Sequence, residues 1–128
     1  MLIPNAPSLP LLPRPAYQKM IVAGSPEAFG RIVGMSDDRR TAYVVWRGTV
    51  GAYRFQPDPA TIDTCYVIQG RAIIRRQNEA DAVLTPGTLF QFPREPFEMQ
   101  IVEEFVKASF LYNSNELSCE VEPLQPSS

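Results

Sequence analysis

The sequence predicts an all-β fold, a sandwich or barrel of many short strands. Three observations carry that prediction. Short β-branched and aromatic runs recur from Tyr17 onward, turn residues separate them at close spacing, and almost no stretch carries a capped helical period. At 128 residues the chain is one domain long, and with 45% apolar and 20% charged residues it can bury a single core.

In chain order the runs are 18–23, 31–35, 41–46, 49–55, 62–69, 71–76, 82–84, 88–92, 97–102 and 105–112. Between them lie Ser36-Asp37-Asp38, Pro57-Asp58-Pro59 and Pro86-Gly87, residues that pre-set or tolerate turn dihedrals. The one capped helix start, Ser25-Pro26-Glu27, meets Gly30 within a turn and a half, so it predicts no helix. Gly70, between two runs, suits a tight turn or a bulge, and Gly87 after Pro86 suits a type II turn that needs positive φ.

The ends read differently. Residues 1–16 are proline-rich without helical period and form an expected arm or leader, while 114–128 turn polar and proline-containing and form an expected tail. The packed body is then 17–113. The apolar stretch Leu9 to Leu12 is cut by Pro10 and Pro13 and lacks a basic flank, so it does not resemble a signal peptide. No run approaches the roughly 18 apolar residues of a membrane span. With a net charge of −2 and scattered basic residues, neither nucleic acid nor a membrane surface is an expected partner. Cys65 and Cys119 are too few for a disulfide framework and are expected as thiols in the cytoplasm.

There is no histidine. That removes the commonest general base at neutral pH and the commonest nitrogen ligand of transition metals. Chemistry is left to carboxylates, Tyr, Lys, Arg, Cys or water.

Within the body, two spaced frames stand out. Gly51 is followed after five residues by Pro57-x-Pro59, after three more by Asp63, and after six more by Gly70. Gly87 is followed after five residues by Pro93-x-Glu95 and after two more by Glu98. These frames resemble the two motifs of the cupin family, in order, with the metal-ligating histidines and glutamate replaced. Trp46-x-Gly48, Gly51 and the stretch from Asp63 through Cys65-Tyr66-Val67 to Gly70 resemble the cupins that include ureidoglycine aminohydrolases and the ethanolamine-utilisation cupin. The resemblance covers about residues 43–112. It implies a single cupin-type double-stranded β-helix (jelly-roll) barrel, paired as a homodimer, with the barrel interior as the ligand site.

Strand parity places Asp63, Cys65 and Val67 on one face, with Tyr66 and Ile68 on the other. If Asp63 keeps the orientation of the family's glutamate, its face lines the barrel; otherwise it caps the turn after Pro59. Glu98 falls at the place of the last metal histidine, yet it also begins a Phe97-Glu98-Met99-Gln100-Ile101 alternation whose polar face could lie outside. Gln56, Asp58 and Gln100 are further polar candidates for ligand binding, with Pro57 and Pro59 equally suited simply to turn the chain. Cys65 reads as a ligand neighbour or a buried inert thiol, and Trp46 and Tyr53 as stacking surfaces or core. An all-oxygen metal set of Asp58, Asp63 and Glu98 would suit only a hard cation; no metal and no cofactor are expected.

Two functions follow. The first is a metal-independent barrel that binds a small polar metabolite. The alternative is a metal-free hydrolase, lyase or isomerase acting on a small nitrogen-containing or polar metabolite, with Asp63 and Glu98 as a carboxylate acid–base pair in one cavity. An arginine, Arg54 or Arg71, could enter the cavity and keep both charged. A scaffold subunit is a third reading.

Overall fold

The computed structural model describes residue 3 and residues 5–123. Residues 1, 2, 4 and 124–128, at the outer ends of the expected arm and tail, lie outside them. Nine strands form one rolled antiparallel sheet: β1 (Leu12–Pro13), β2 (Ile21–Ala23), β3 (Ala28–Met35), β4 (Thr41–Gly48), β5 (Gly51–Phe55), β6 (Thr61–Arg75), β7 (Ala82–Leu84), β8 (Leu89–Gln91) and β9 (Phe97–Asn113). One path of neighbours runs β1-β3-β4-β9-β5-β2, and β6 pairs with β7, β8 and β9.

The spine is the pair β6 and β9, which stay paired from Thr61↔Asn113 to Arg75↔Glu98. The runs expected as 62–69 and 71–76 are therefore one strand, as are those expected as 97–102 and 105–112. The break at Gly70 is a bulge, not a chain reversal. Register shifts between Val67 and Ala72, where Gly70 has a φ of +84° and a Cβ would sit 1.9 Å from the Glu104 carbonyl oxygen. The bulge inserts one residue, so the inward parity changes. Before it, Cys65 and Val67 are buried; after it, Ala72 and Ile74 are buried. Both stretches can thus face one interior although no single alternation runs through them.

On the other edge of β9, β5 pairs with Phe97–Ile101 and β4 pairs with Phe105–Tyr112, so the bend hands β9 from one partner to the next. Tyr53, Ile74, Leu84, Met99, Ile101 and Phe105 fill the interior at this level, each no more than 1% exposed. Burial of such side chains contributes about 1.5–3 kcal/mol each. The Thr85-Pro86-Gly87-Thr88 turn has the expected geometry, with Thr88 N–H donating to the Thr85 carbonyl at 3.0 Å and a φ of +89° at Gly87.

The N-terminal part departs from expectation. Pro15–Met20 is a 3₁₀ helix started by its proline, and only Ile21–Ala23 of the expected strand 18–23 is extended. Residues 12 and 13 pair with β3 of the same barrel, Leu12↔Gly30 and Pro13↔Phe29. Arg14 fixes this approach: its guanidinium donates to the Gly30 carbonyl at 3.2 Å and to the Glu122 carboxylate. Glu122 also accepts from the Ile32 N–H at 2.9 Å. Burial raises the Glu122 pKa, but the bonds from Arg14 and Ile32 with the charges of Arg14 and Arg31 outweigh it, and the net shift is downward. Among the described residues no helix is long and apolar enough to cross a membrane.

Gly70→Ala should destabilise the fold by at least about 2 kcal/mol, because the substitution is strained in φ and meets backbone, not a movable side chain. Chemical denaturation checks this, and a change below about 0.5 kcal/mol would show that β6 and β9 can reshape their bend.

Candidate functional site

The interior is not filled throughout. Towards the end where β6 begins, a chamber of about 60 Å³ remains, walled by Trp46, Phe92, Phe97, Met99, Asp63 and Lys107, with Tyr17 and Phe55 completing it. A wider hollow of about 200 Å³ shares Tyr17, Phe55, Asp63, Phe92 and Phe97 with it and continues outward past Met20, Pro93 and Leu111 to Gln56, Asp58 and Thr61. Since liquid water takes about 30 Å³ per molecule, the chamber has room for a small functional group and the hollow for a short side chain.

Two opposite charges meet this chamber. Asp63 points inward, as its parity with Cys65 and Val67 requires, and its Oδ1 is buried with no hydrogen-bond partner among the described residues. Lys107, on β9, is only 7% exposed. Its Nζ donates to Ser109 Oγ at 2.5 Å and lies 5.4 Å from the Trp46 ring centre and 5.2 Å from that of Phe92. The ammonium is thus held by one hydroxyl and two aromatic faces.

The register explains how the pair is spaced. Asp63 stands opposite Leu111, Cys65 opposite Ser109 and Val67 opposite Lys107. The Lys107 backbone is therefore two inward positions away from Asp63, and its side chain leans back one position to reach Ser109. That leaves about one two-residue step, roughly 6.6 Å, between the carboxylate's level and the ammonium's. No salt bridge joins them. Two complementary charges face one small space without touching.

Tyr17 closes the chamber from the 3₁₀ helix. Its ring centre lies 5.8 Å from that of Trp46, 6.0 Å from Tyr53 and 6.0 Å from Phe55. Phe92 stacks on Phe97 at 5.5 Å, and Phe97 on Phe55 at 5.1 Å, so the walls form one continuous aromatic array.

The candidates read from sequence separate into three places. Asp63 and Trp46 line the chamber. Gln56 and Asp58 lie exposed at the outer rim, where Asp58 accepts from the Ala60 N–H at 2.9 Å and from Asn113 Nδ2 at 3.5 Å. Cys65 and Tyr53 are buried in the core beside the chamber. Burial pushes the Cys65 thiol up to about 11, with Lys107 opposing and Asp63 reinforcing the shift, so at neutral pH it is a thiol and not a nucleophile. Burial, with Tyr17 and Glu27 adding to it, likewise raises the Tyr53 phenol.

Glu98 and Gln100 require correction. Phe97, Met99 and Ile101 are the inward members of their alternation, so the two polar residues face outward. Glu98 lies 3.8 Å from Arg75, whose guanidinium also donates to Gln100. Asp63 and Glu98 therefore do not share a cavity, and the carboxylate pair on which the acid–base reading depended is absent. Arg54 lies exposed in the outer groove with Arg75 and Glu98, and Arg71 is exposed on β6 opposite Glu103. The basic group in the chamber is Lys107, which the sequence reading overlooked. Its signal was the run Phe105-x-Lys107-x-Ser109-x-Leu111, a lysine in phase with apolar residues on a strand.

The resemblance implies a metal, and the chamber's donor set does not fit one. Asp58 is committed at the rim and Glu98 is outside, leaving Asp63 as the only carboxylate, facing an ammonium that would repel a cation. Among the described residues no three His, Cys, Asp or Glu side chains converge.

Neither a protein-family model nor a curated protein matches the sequence. Solved structures do match the fold. KdgF from Halomonas sp. aligns with a TM-score of 0.56 at 16% identity, over 69% of this chain and 82% of that one. The EutQ protein of Clostridium difficile aligns with a TM-score of 0.60 at 12% identity, over 70% of this chain and 71% of its own. The cupin domain of Schizosaccharomyces pombe Cnp3 aligns with a TM-score of 0.61 at 12% identity, over 84% of this chain and 71% of its own. At these identities the likeness is one of fold, and the fold is an all-β cupin-type barrel.

Lys107→Met keeps the length and removes the charge. Because a desolvated ammonium with one hydrogen bond costs more than it returns in a purely structural role, this variant should be more stable by about 1 kcal/mol, a rise of about 4 °C in Tm. A lower Tm would mean that the ammonium holds the barrel together.

Proposed function

We propose that this protein is a cytoplasmic, metal-independent small-molecule-binding barrel whose site is the chamber between Asp63 and Lys107. The observation that carries the reading is a buried carboxylate oxygen without a partner, facing an enclosed space that also receives a buried ammonium. A buried polar atom left unpaired costs about 1–3 kcal/mol, and the cost is more for a charge, so such atoms call for an occupant. Aromatic walls would bury the rest of the ligand. Cytoplasmic placement is supported by two unbridged cysteines.

Purified protein should carry less than about 0.1 transition-metal ion per chain by elemental analysis. Trp46, the chain's one tryptophan, reports on the chamber, so its fluorescence should change on titration with small polar metabolites. Near-stoichiometric zinc, iron, nickel or manganese, or silence to anionic, cationic, neutral and zwitterionic compounds alike, would overturn the reading.

Two copies would pair through the outer face of β8, β6 and β9. There Tyr66, Leu89, Phe110 and Tyr112 are 42–68% exposed on neighbouring rows, Tyr66 standing opposite both Leu89 and Ala108 and Phe110 opposite Thr64. Light scattering should give a dimer, and Phe110→Glu, at a site 42% exposed, should shift it to monomer. A wild-type mass near 14.4 kDa at high concentration would sink the pairing.

A further inference from the structure

We infer that the ligand is a small zwitterion with an apolar tail: an ammonium and a carboxylate on the same or adjacent carbons, as in an apolar α-amino acid. This rests on the chamber being the binding site and goes further in assigning the ligand's chemistry.

The first support is the order of the charges. A ligand carboxylate entering the chamber meets the Lys107 Nζ, which has three donors and uses one on Ser109. A ligand ammonium meets the unpaired Oδ1 of Asp63. Charge-assisted hydrogen bonds are about 2.8 Å long. With levels only roughly 6.6 Å apart, two such bonds fit when both are angled off the line between the levels, and they favour charges held close together, one or two bonds from a common carbon. A ligand with one charge would pair with one protein group and leave the other buried charge without a counter-ion.

The second support is the division of the space. The inner 60 Å³ contains both charges, whereas the outer 200 Å³ is walled mainly by Met20, Phe55, Pro57, Pro93 and Leu111; its polar groups are Asp63, shared with the chamber, and Gln56, Asp58 and Thr61 at the rim. A head group bound inside therefore sends its substituent along an apolar wall. The volume suits a branched aliphatic or thioether side chain more than a short polar one, since a polar group that stops beside Met20 and Leu111 would be desolvated short of the rim groups.

The third support is Tyr17. It is attached through the 3₁₀ helix, whose approach is tied by Arg14, and it touches both spaces. Ordered over the head group, its ring excludes water from the two ion pairs, which strengthens them.

The test uses the full chain and four probes matched in shape: leucine, isocaproate, which lacks the ammonium, isoamylamine, which lacks the carboxylate, and glycine, which lacks the tail. Calorimetry and Trp46 fluorescence should show leucine at least tenfold tighter than each of the others. Asp63→Asn, which keeps the shape, should weaken leucine at least tenfold and leave isocaproate within twofold. Lys107→Met should do the reverse for isoamylamine. If isocaproate or isoamylamine binds as tightly as leucine and the opposite-charge variant has no effect, the zwitterion assignment fails while the binding barrel stands. If a neutral polyol or amide binds more tightly than all four, the assignment fails in the same way. Silence of Trp46 to every probe class would instead remove the binding site itself.

Discussion

The bend where Gly70 passes Glu104 is the constraint on which the rest of the molecule depends. β6 and β9 are the only strands long enough to belong to both parts of the rolled sheet, and they must turn together because they are hydrogen-bonded on both sides of the bend. The closest approach is backbone to backbone, which only a residue without a Cβ allows. The extra residue also shifts parity, so that Asp63, Cys65 and Val67 face the same interior as Ala72 and Ile74. Without that shift, one of the two sets would face water. The bend also hands β9 from β5 to β4, which brings Trp46 of β4 over the same interior as Met99. The filled core and the hollow chamber are two consequences of one bulge.

A barrel interior that is apolar at one level and charged at the next has to keep water from the core. The aromatic array does this. Phe92, Phe97 and Phe55 stack in sequence, and Tyr17 seals the side that the sheet leaves open. The seal comes from a segment outside the rolled body, held by an arginine that reaches both the β3 backbone and the C-terminal Glu122. The two chain ends thus act together on the mouth of the barrel, one supplying the ring and the other the counter-charge that anchors it.

What could be read in the sequence was local. The alternation around Cys65 put Asp63 on the inward face, the Pro86-Gly87 pair gave its turn, and the short apolar runs gave the strands. What could not be read was set by contacts between distant segments. The bulge parity at Gly70 depends on Glu104, thirty-four residues on, so the sequence suggested a break where the chain continues. Glu98 illustrates a different failure: a family frame and a strand alternation pointed in opposite directions, and the alternation decides, because inward burial of Phe97, Met99 and Ile101 outweighs the habit of a motif. Lys107 was hidden by the ordinary expectation that lysine is exposed. Its phase with Phe105 and Ser109 carried the information, but only beside the knowledge that this face lines a cavity.

The chamber differs in kind from the pattern that the sequence resembles. In the family pattern, imidazoles and a carboxylate gather around a cation deep in the barrel; this chain has no histidine, Pro57 lies in the wall of the hollow, and Asp63 is the one carboxylate at the chamber. The ammonium of Lys107, on the neighbouring strand, puts a positive charge in the interior, and because it is covalently part of β9 it stays there whether or not a ligand is present. The two arrangements are not equivalent in chemistry. A bound cation would draw Asp63 into its coordination shell, whereas Lys107 is drawn away to Ser109 and the rings of Trp46 and Phe92, leaving the carboxylate oxygen free. The interior therefore holds two separated charges instead of donors gathered around one centre, and it is this separation that the proposed dipolar ligand would answer.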